Sequence, residues 1–239
     1  MNPSVSVRVW SDFACFTRPE MKVERVSYPI PTPSAARGIL EAIFWEPQMY
    51  YLIDRVDVVR RGNWFSFRRN EVKKVISELD ARGWILGTKD FEPIEAGGGA
   101  ADAAQRNMLA LADVEYVITA EIRLSAQAKP PGDNIWKYVE QVRSRTLKGK
   151  CAHRPAMGCR EFAADFDLVE DPSRVAKATS FNEDLGIMLY DVFDPLRRAA
   201  EKNVRPQPVF FRAKVAEGTM DCHPERIESR FIRPASGRM

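Results

Sequence analysis

Hydrophobic positions along the chain alternate between a period of two and a period near 3.6, and the alternation predicts the fold. Val5, Val7 and Val9 are set against Ser6, Arg8 and Trp10, the pattern of a half-buried strand that continues irregularly to Phe16. From Thr17 to Tyr28 the period vanishes, and Arg18, Lys22 and Arg25 mark an exposed cationic loop. Apolar residues at Ala36, Ile39, Leu40 and Ile43 then follow a helical spacing, with Thr32 as N-cap, Pro33 at the first helical position and Pro47 as the stop. The first turn of this helix, with Arg37 beside it, can hold a phosphate or can simply be capped by Thr32. Residues 49–60 read as a strand ending in Arg60 and Arg61, and residues 64–75 as a further strand or hairpin carrying Arg68 and Arg69. Glycines at 83, 87 and 97–99 make the interval of about 62–112 an insertion with mobile parts. The clearest strand is 113–124, where Val114, Tyr116, Ile118, Ala120, Ile122 and Leu124 face one way and Glu115, Thr119, Glu121 and Arg123 the other.

Residues 131–162 carry most of the candidate chemistry. Pro130, Pro131 and Gly132, with Asp133 or Asn134 as N-cap, open a second helix. Ile135, Val139, Val142 and Thr146 form its packing side, Lys137, Gln141, Arg145 and Lys148 its cationic side, and Tyr138 the edge between them. Gly149 stops the helix. Lys150, His153 and Arg154 continue the basic run through a turn at 155–158, and a strand from Arg160 towards Phe166 follows. A charged helix face is often no more than a solvated surface; here the cationic residues run on through a glycine-bounded loop, which suits RNA.

The resulting order of strand, helix, strand, insertion, strand, helix, strand is the βαββαβ arrangement of an α+β, ferredoxin-like (RRM-like) domain. Two helices cover one face of the sheet, and the other face is left free for RNA. Residues 1–168 would form this domain, with the insertion at about 62–112. Residues 169–239 would form a small β-rich C-terminal domain and tail, with strands at 185–192 and 209–215, a second small antiparallel sheet, and a poorly ordered end from about 219.

The 239 residues are 45% hydrophobic and 29% charged, enough for a packed core. The formal net charge of +3 is small, so polyanion binding has to come from local clusters. No apolar run approaches about 18 residues and no signal-peptide pattern follows Met1, so a soluble, cytoplasmic protein is expected. The four cysteines, Cys15, Cys151, Cys159 and Cys222, form no CxxC pair and read as free thiols. Cys151, His153 and Cys159 lack a fourth ligand and the usual zinc spacing, so neither a metal nor another cofactor is expected. The glycine triplet has no Lys-Ser/Thr after it and no GxGxxG frame, which argues against a P-loop.

The segments PEMKVERVSYPIPTPSAARGILEAIFWEP (19–47), GKCAHRPAMGCREF (149–162), DLGIMLYD (184–191) and PVFFRA (208–213) closely resemble the CRISPR-associated RAMP protein of subtype I-C (Dvulg type). They span nearly the whole chain in order. The resemblance implies a metal-independent endoribonuclease that cuts the repeat hairpin of precursor CRISPR RNA. It also implies that the protein keeps the 5′ handle while backbone and large subunits assemble into a Cascade-like surveillance complex. The family's catalytic set is a tyrosine in the first helix and a Lys-His pair at the start of the second. Lys137 matches the lysine, but Tyr138 stands at the histidine position and Phe44 at the tyrosine position.

Cleavage of RNA without metal requires deprotonation of the 2′-hydroxyl, stabilisation of the phosphorane and protonation of the leaving 5′-oxygen. Lys137 can stabilise charge. Tyr138, with an ordinary pKa of about 10, is a poor base unless its surroundings lower that value. Phe44 transfers no proton, and His153 is the remaining acid or base by intrinsic pKa, with an RNA-contacting or structural role as its alternative. Lys22, Arg25, Arg37, Arg143, Arg145, Lys148, Lys150 and Arg154 are the candidate phosphate contacts. The competing readings are a non-catalytic subunit that caps the 5′ handle and a non-specific DNA nuclease. The latter has a basic groove in its favour but no convincing carboxylate cluster.

Overall fold

The computed structural model describes residues 3–91, 93–97, 99–195 and 205–233. Its main sheet is built on β1 (Ser4–Ala14), β4 (Met49–Arg60), β6 (Ala103–Leu124) and β7 (Asp165–Leu168), in the antiparallel order β7-β1-β6-β4. Helix α1 (Pro33–Ile43) links β1 to β4, and α3 (Ile135–Leu147) links β6 to β7. Val7 lies opposite Ile118, and Val9 opposite Tyr116, so the two alternating patterns meet on one face. Ala36, Ile39, Leu40 and Ile43 of α1 and Tyr138, Val139 and Val142 of α3 close over that face in one buried cluster. The result is a mixed α+β arrangement.

The interval at about 62–112, expected as an insertion with mobile parts, contains regular strand and helix. β5 (Asn63–Val72) pairs with residues 103–112 of β6, directly beyond the stretch of β6 that β4 occupies. β4 and β5 are successive segments along one edge of β6, and together they lengthen the hairpin into an arm that carries α2 (Glu78–Leu86). At about 3.3 Å per residue, the ten residues of β5 extend the ribbon by roughly 33 Å. Left-handed residues mark the joint: Gly62 has φ +75°, Asp113 opposite has φ +59°, and a Cβ on Gly62 would lie 2.5 Å from the Ala112 carbonyl oxygen.

The cationic segment after β1 is also more ordered than its sequence suggests. β2 (Phe16–Thr17) pairs with β3 (Arg25–Tyr28), and β3 runs parallel to the arm portion of β6, because Ser27 and Tyr28 are buried and the Phe16 amide donates to Ser27 Oγ at 2.9 Å.

A separate antiparallel sheet contains β8 (Glu183–Asp191), β9 (Val209–Val215) and β11 (Phe231–Ile232) in the order β11-β9-β8. Met188, Tyr190, Phe211 and Ala213 of this sheet belong to the same buried cluster as the main sheet. The segment from 219 is not a loose tail. β10 (Thr219–Asp221) adds a strand outside β4, and α4 (Pro224–Ile227) buries Ile227 behind it. Residues 234–239 lie outside the described residues.

Candidate nucleic-acid interface

The stretch between α3 and β7 is fixed by backbone contacts. The amides of Ala152 and His153 donate to the Ala42 carbonyl at 2.9 and 3.0 Å, satisfying the last turn of α1 and ending the helix before Pro47. Met157 accepts from the Cys15 amide at 2.9 Å, and the Ala164 amide donates to the Pro155 carbonyl at 2.8 Å. These turns delay the expected strand at Arg160 until Asp165. Gly158, at φ +85°, passes so close to β1 that a Cβ would lie 2.1 Å from the Cys15 carbonyl oxygen.

Between this loop and α1 lies a cleft of about 870 Å³. Thr32, Ser34, Ala35 and Gly38 form one wall, and His153, Arg154 and Arg160 stand on the other. Thr32 Oγ1 accepts from the Ala35 amide at 3.0 Å, so the capping role read from sequence is realised at the mouth of the cleft. No carboxylate is among the described residues that line it. His153 is exposed, Arg154 pairs with Asp165, and Arg160 has no ion pair among the described residues.

The cationic band continues along α3. Gln141, Ser144, Arg145, Lys148 and Lys150 frame a shallow groove of about 410 Å³, which also includes Glu140. The Arg145 guanidinium lies 5.2 Å from the ring centroid of Phe44, the residue that caps α1. Lys137, one turn before Gln141, is 46% exposed with Nζ 3.8 Å from Asp133 Oδ1. It does not line the α1 cleft, whereas His153 does.

Four sequence expectations change. Tyr138 is not at an edge: it is fully buried, and its hydroxyl donates to Asp133. Burial first, and then the Asp133 carboxylate, push its pKa up to about 12, which removes it as a general base at neutral pH. Arg37 is already held by carboxylates. It is 14% exposed, forked onto Asp191 and paired with Glu41 at 2.7 Å, and it ties α1 to β8. Arg143 is paired with Glu170, and Arg25 with Glu161 at 3.2 Å, while Arg25 also donates to Cys159 Sγ at 3.4 Å. Lys22, Arg145, Lys148 and Lys150 remain exposed or half-exposed on the surface, and Lys22, Lys148 and Lys150 have no ion pair among the described residues.

The sheet face turned away from the helices, expected to be free for RNA, is instead a field of paired charges. Arg8 and Arg60 meet Glu115, Arg55 and Thr219 meet Asp57, and His223 Nε2 lies 3.1 Å from Glu121 Oε2. Its arginines are engaged by carboxylates, whereas no carboxylate lines the α1 cleft among the described residues. A strand reading of 160–166 hides Arg160; its position just after Gly158 is the available signal.

With this geometry in place, comparison with known proteins identifies the family. Residues 4–223 match the family described as CRISPR-associated protein (Cas_Cas5), and the chain belongs to it. It is 39% identical over 226 residues to a protein of Mannheimia succiniciproducens named CRISPR pre-crRNA endoribonuclease Cas5d, covering 92% of this chain and 95% of that one. A protein of the same name from Thermus thermophilus is 39% identical over 238 residues, covering 95% and 94%. The fold is similar to a solved structure described as a CRISPR-associated protein, with TM-score 0.62 and 20% identity over 91% of this chain and 90% of that one. A functionally uncharacterized protein, SMU1763c from Streptococcus mutans, gives TM-score 0.62 at 19% identity over 93% of each chain.

Proposed function

We propose that this chain is a metal-independent endoribonuclease that cuts the repeat hairpin of precursor CRISPR RNA and holds the resulting 5′ handle. In this role it contacts the backbone and large subunits of a type I-C, Cascade-like complex. The relatives' names support the substrate and reaction, and the carboxylate-free cleft beside a cationic α3 face is the observation that carries the reading. The strand order β7-β1-β6-β4, with both crossing helices on one face, supports a ferredoxin-like core for residues 1–168. The β8-β9-β11 sheet supports a β-rich C-terminal part within 169–239.

The chemistry uses the RNA's own 2′-oxygen. Its proton is removed, the oxygen bonds to phosphorus, the bond from phosphorus to the 5′-oxygen breaks, and that oxygen is protonated, leaving a 2′,3′-cyclic phosphate and a 5′-hydroxyl. Lys137 neutralises charge on the phosphorane. His153 is the proton-transfer group, with Arg154, Arg145, Lys148 and Lys150 gripping phosphates along the band. A non-catalytic subunit that caps the handle is the second reading. It is favoured by Phe44 and the buried, protonated Tyr138 at two positions where the family uses proton-transfer groups. Incubation of a labelled repeat hairpin with the full chain separates the two: a single cut with a cyclic-phosphate end belongs to the first alone.

A further inference from the structure

Where the arm leaves the main sheet, four phenylalanines gather on the face that continues the helix-covered side. Phe13 on β1 and Phe65 on β5 lie 5.3 Å apart between ring centroids, and Phe65 stacks on Phe67 at 5.5 Å with 29° between planes. Phe162, from the loop that walls the cleft, lies 5.9 Å from Phe13 and 6.3 Å from Phe67. The inner rings, Phe67 and Phe162, pack on a small buried cluster of Cys15, Met108, Ala110 and Cys159. The outer rings stay half-exposed, Phe13 at 37% and Phe65 at 42%, so two rigidly backed aromatic surfaces face solvent.

Arginines stand beside them, two of the three shared with carboxylates. One rung beyond Phe67 on the same strand face is Arg69, directly opposite Arg106 on β6. Arg69 and Arg25 share Glu161 and Glu71, while Arg106 has no ion pair among the described residues. Two chain segments lead here from the cleft within three residues, one from Arg160 to Phe162 and the other from Phe16 back to Phe13.

We propose that Phe13 and Phe65 form a stacking platform for unpaired RNA nucleotides that leave the cleft past Arg160. Aromatic rings accept any base through its π-face, and flanking arginines follow the backbone without reading sequence. The rings are already held in place by Phe67 and Phe162, so little ordering is required on binding. This inference rests on the RNA-processing reading and adds where the single-stranded part runs.

The test uses the full-length protein and a short single-stranded RNA containing 2-aminopurine, whose fluorescence is quenched on stacking. Quenching by the wild type is expected, with at least about fivefold weaker binding and loss of quenching in Phe13→Leu and Phe65→Leu. Leucine keeps the apolar packing of position 13 on Phe162 and of position 65 on Phe67, so these variants remain folded, and Phe65→Trp retains quenching. Trp64→Leu, on the opposite face of β5, binds like wild type. No quenching by the wild type, or quenching or affinity that survives both leucine variants, overturns the platform. Hairpin cleavage is measured separately, so loss of cutting with quenching intact would reject the nuclease and keep the platform.

Discussion

The Arg37 guanidinium forks onto the Asp191 carboxylate, Nε to Oδ2 at 2.7 Å and Nη2 to Oδ1 at 3.0 Å. This largely buried pair joins α1, which walls the cleft, to β8 of the small sheet. Removing one partner leaves a charge stranded out of water, so Arg37→Ala should lower stability by about 3–5 kcal/mol. Urea unfolding would show a lower midpoint, whereas the RNA salt slope of the folded fraction should stay unchanged.

Tyr138 should behave as a structural residue. Tyr138→Phe is expected to retain cleavage within a few-fold, measured as single-turnover rate at neutral pH. Because folding raises the Tyr138 pKa to about 12, the folded state holds its proton more tightly than the unfolded state does. Its contribution is fully present below the unfolded value of about 10 and is lost as pH rises through about 12. Wild-type stability should therefore fall over that window more steeply than that of Tyr138→Phe in alkaline urea titrations.

Gly158 and Gly149 provide a matched contrast. Both have positive φ, at +85° and +61°, yet a Cβ on Gly158 would strike the Cys15 carbonyl while one on Gly149 meets nothing within 4 Å. Gly149→Ala should cost about 1–2 kcal/mol from backbone conformation alone. Gly158→Ala should cost more and displace the cleft loop, weakening RNA binding as well as lowering Tm.

Much of the fold could be read directly because alternation and helix spacing survive wherever one face is buried: Val5–Val9 against Ile118 and Tyr116, and Thr32–Pro33 at the start of α1. The arm is hard to read from sequence because its faces are not divided simply into buried and exposed. Met108 and Ala110 are buried, but β5 exposes Trp64 and Phe65, and Gly62 and Asp113 break the pattern at the joint. In the candidate site, His153, Arg154 and the α3 cations were recognisable as a basic run. The carboxylate partners of Arg37, Arg143 and Arg25 are not, since Asp191, Glu170 and Glu161 are remote in sequence or beyond the local helix. Helical spacing alone puts Tyr138 at an edge, since it does not show that Asp133 folds back to receive its hydroxyl.

Phosphate contacts should separate by salt dependence. Lys148→Ala and Lys150→Ala each remove a cation with no ion pair among the described residues, so the slope of log affinity against log salt should shrink by about 0.7–0.9 per residue. Arg143→Ala, already neutralised by Glu170, should change the slope little in the same filter-binding series.

The most direct test is cleavage of an end-labelled cognate repeat hairpin in EDTA by wild type, Lys137→Ala and His153→Ala, each at a concentration that saturates the RNA. One cut by wild type with a 2′,3′-cyclic phosphate end, slowed about 10²–10⁴-fold in His153→Ala and strongly in Lys137→Ala, is the predicted result. Tight binding without a cut by wild type, or cutting that appears only when a divalent metal is restored, would contradict it.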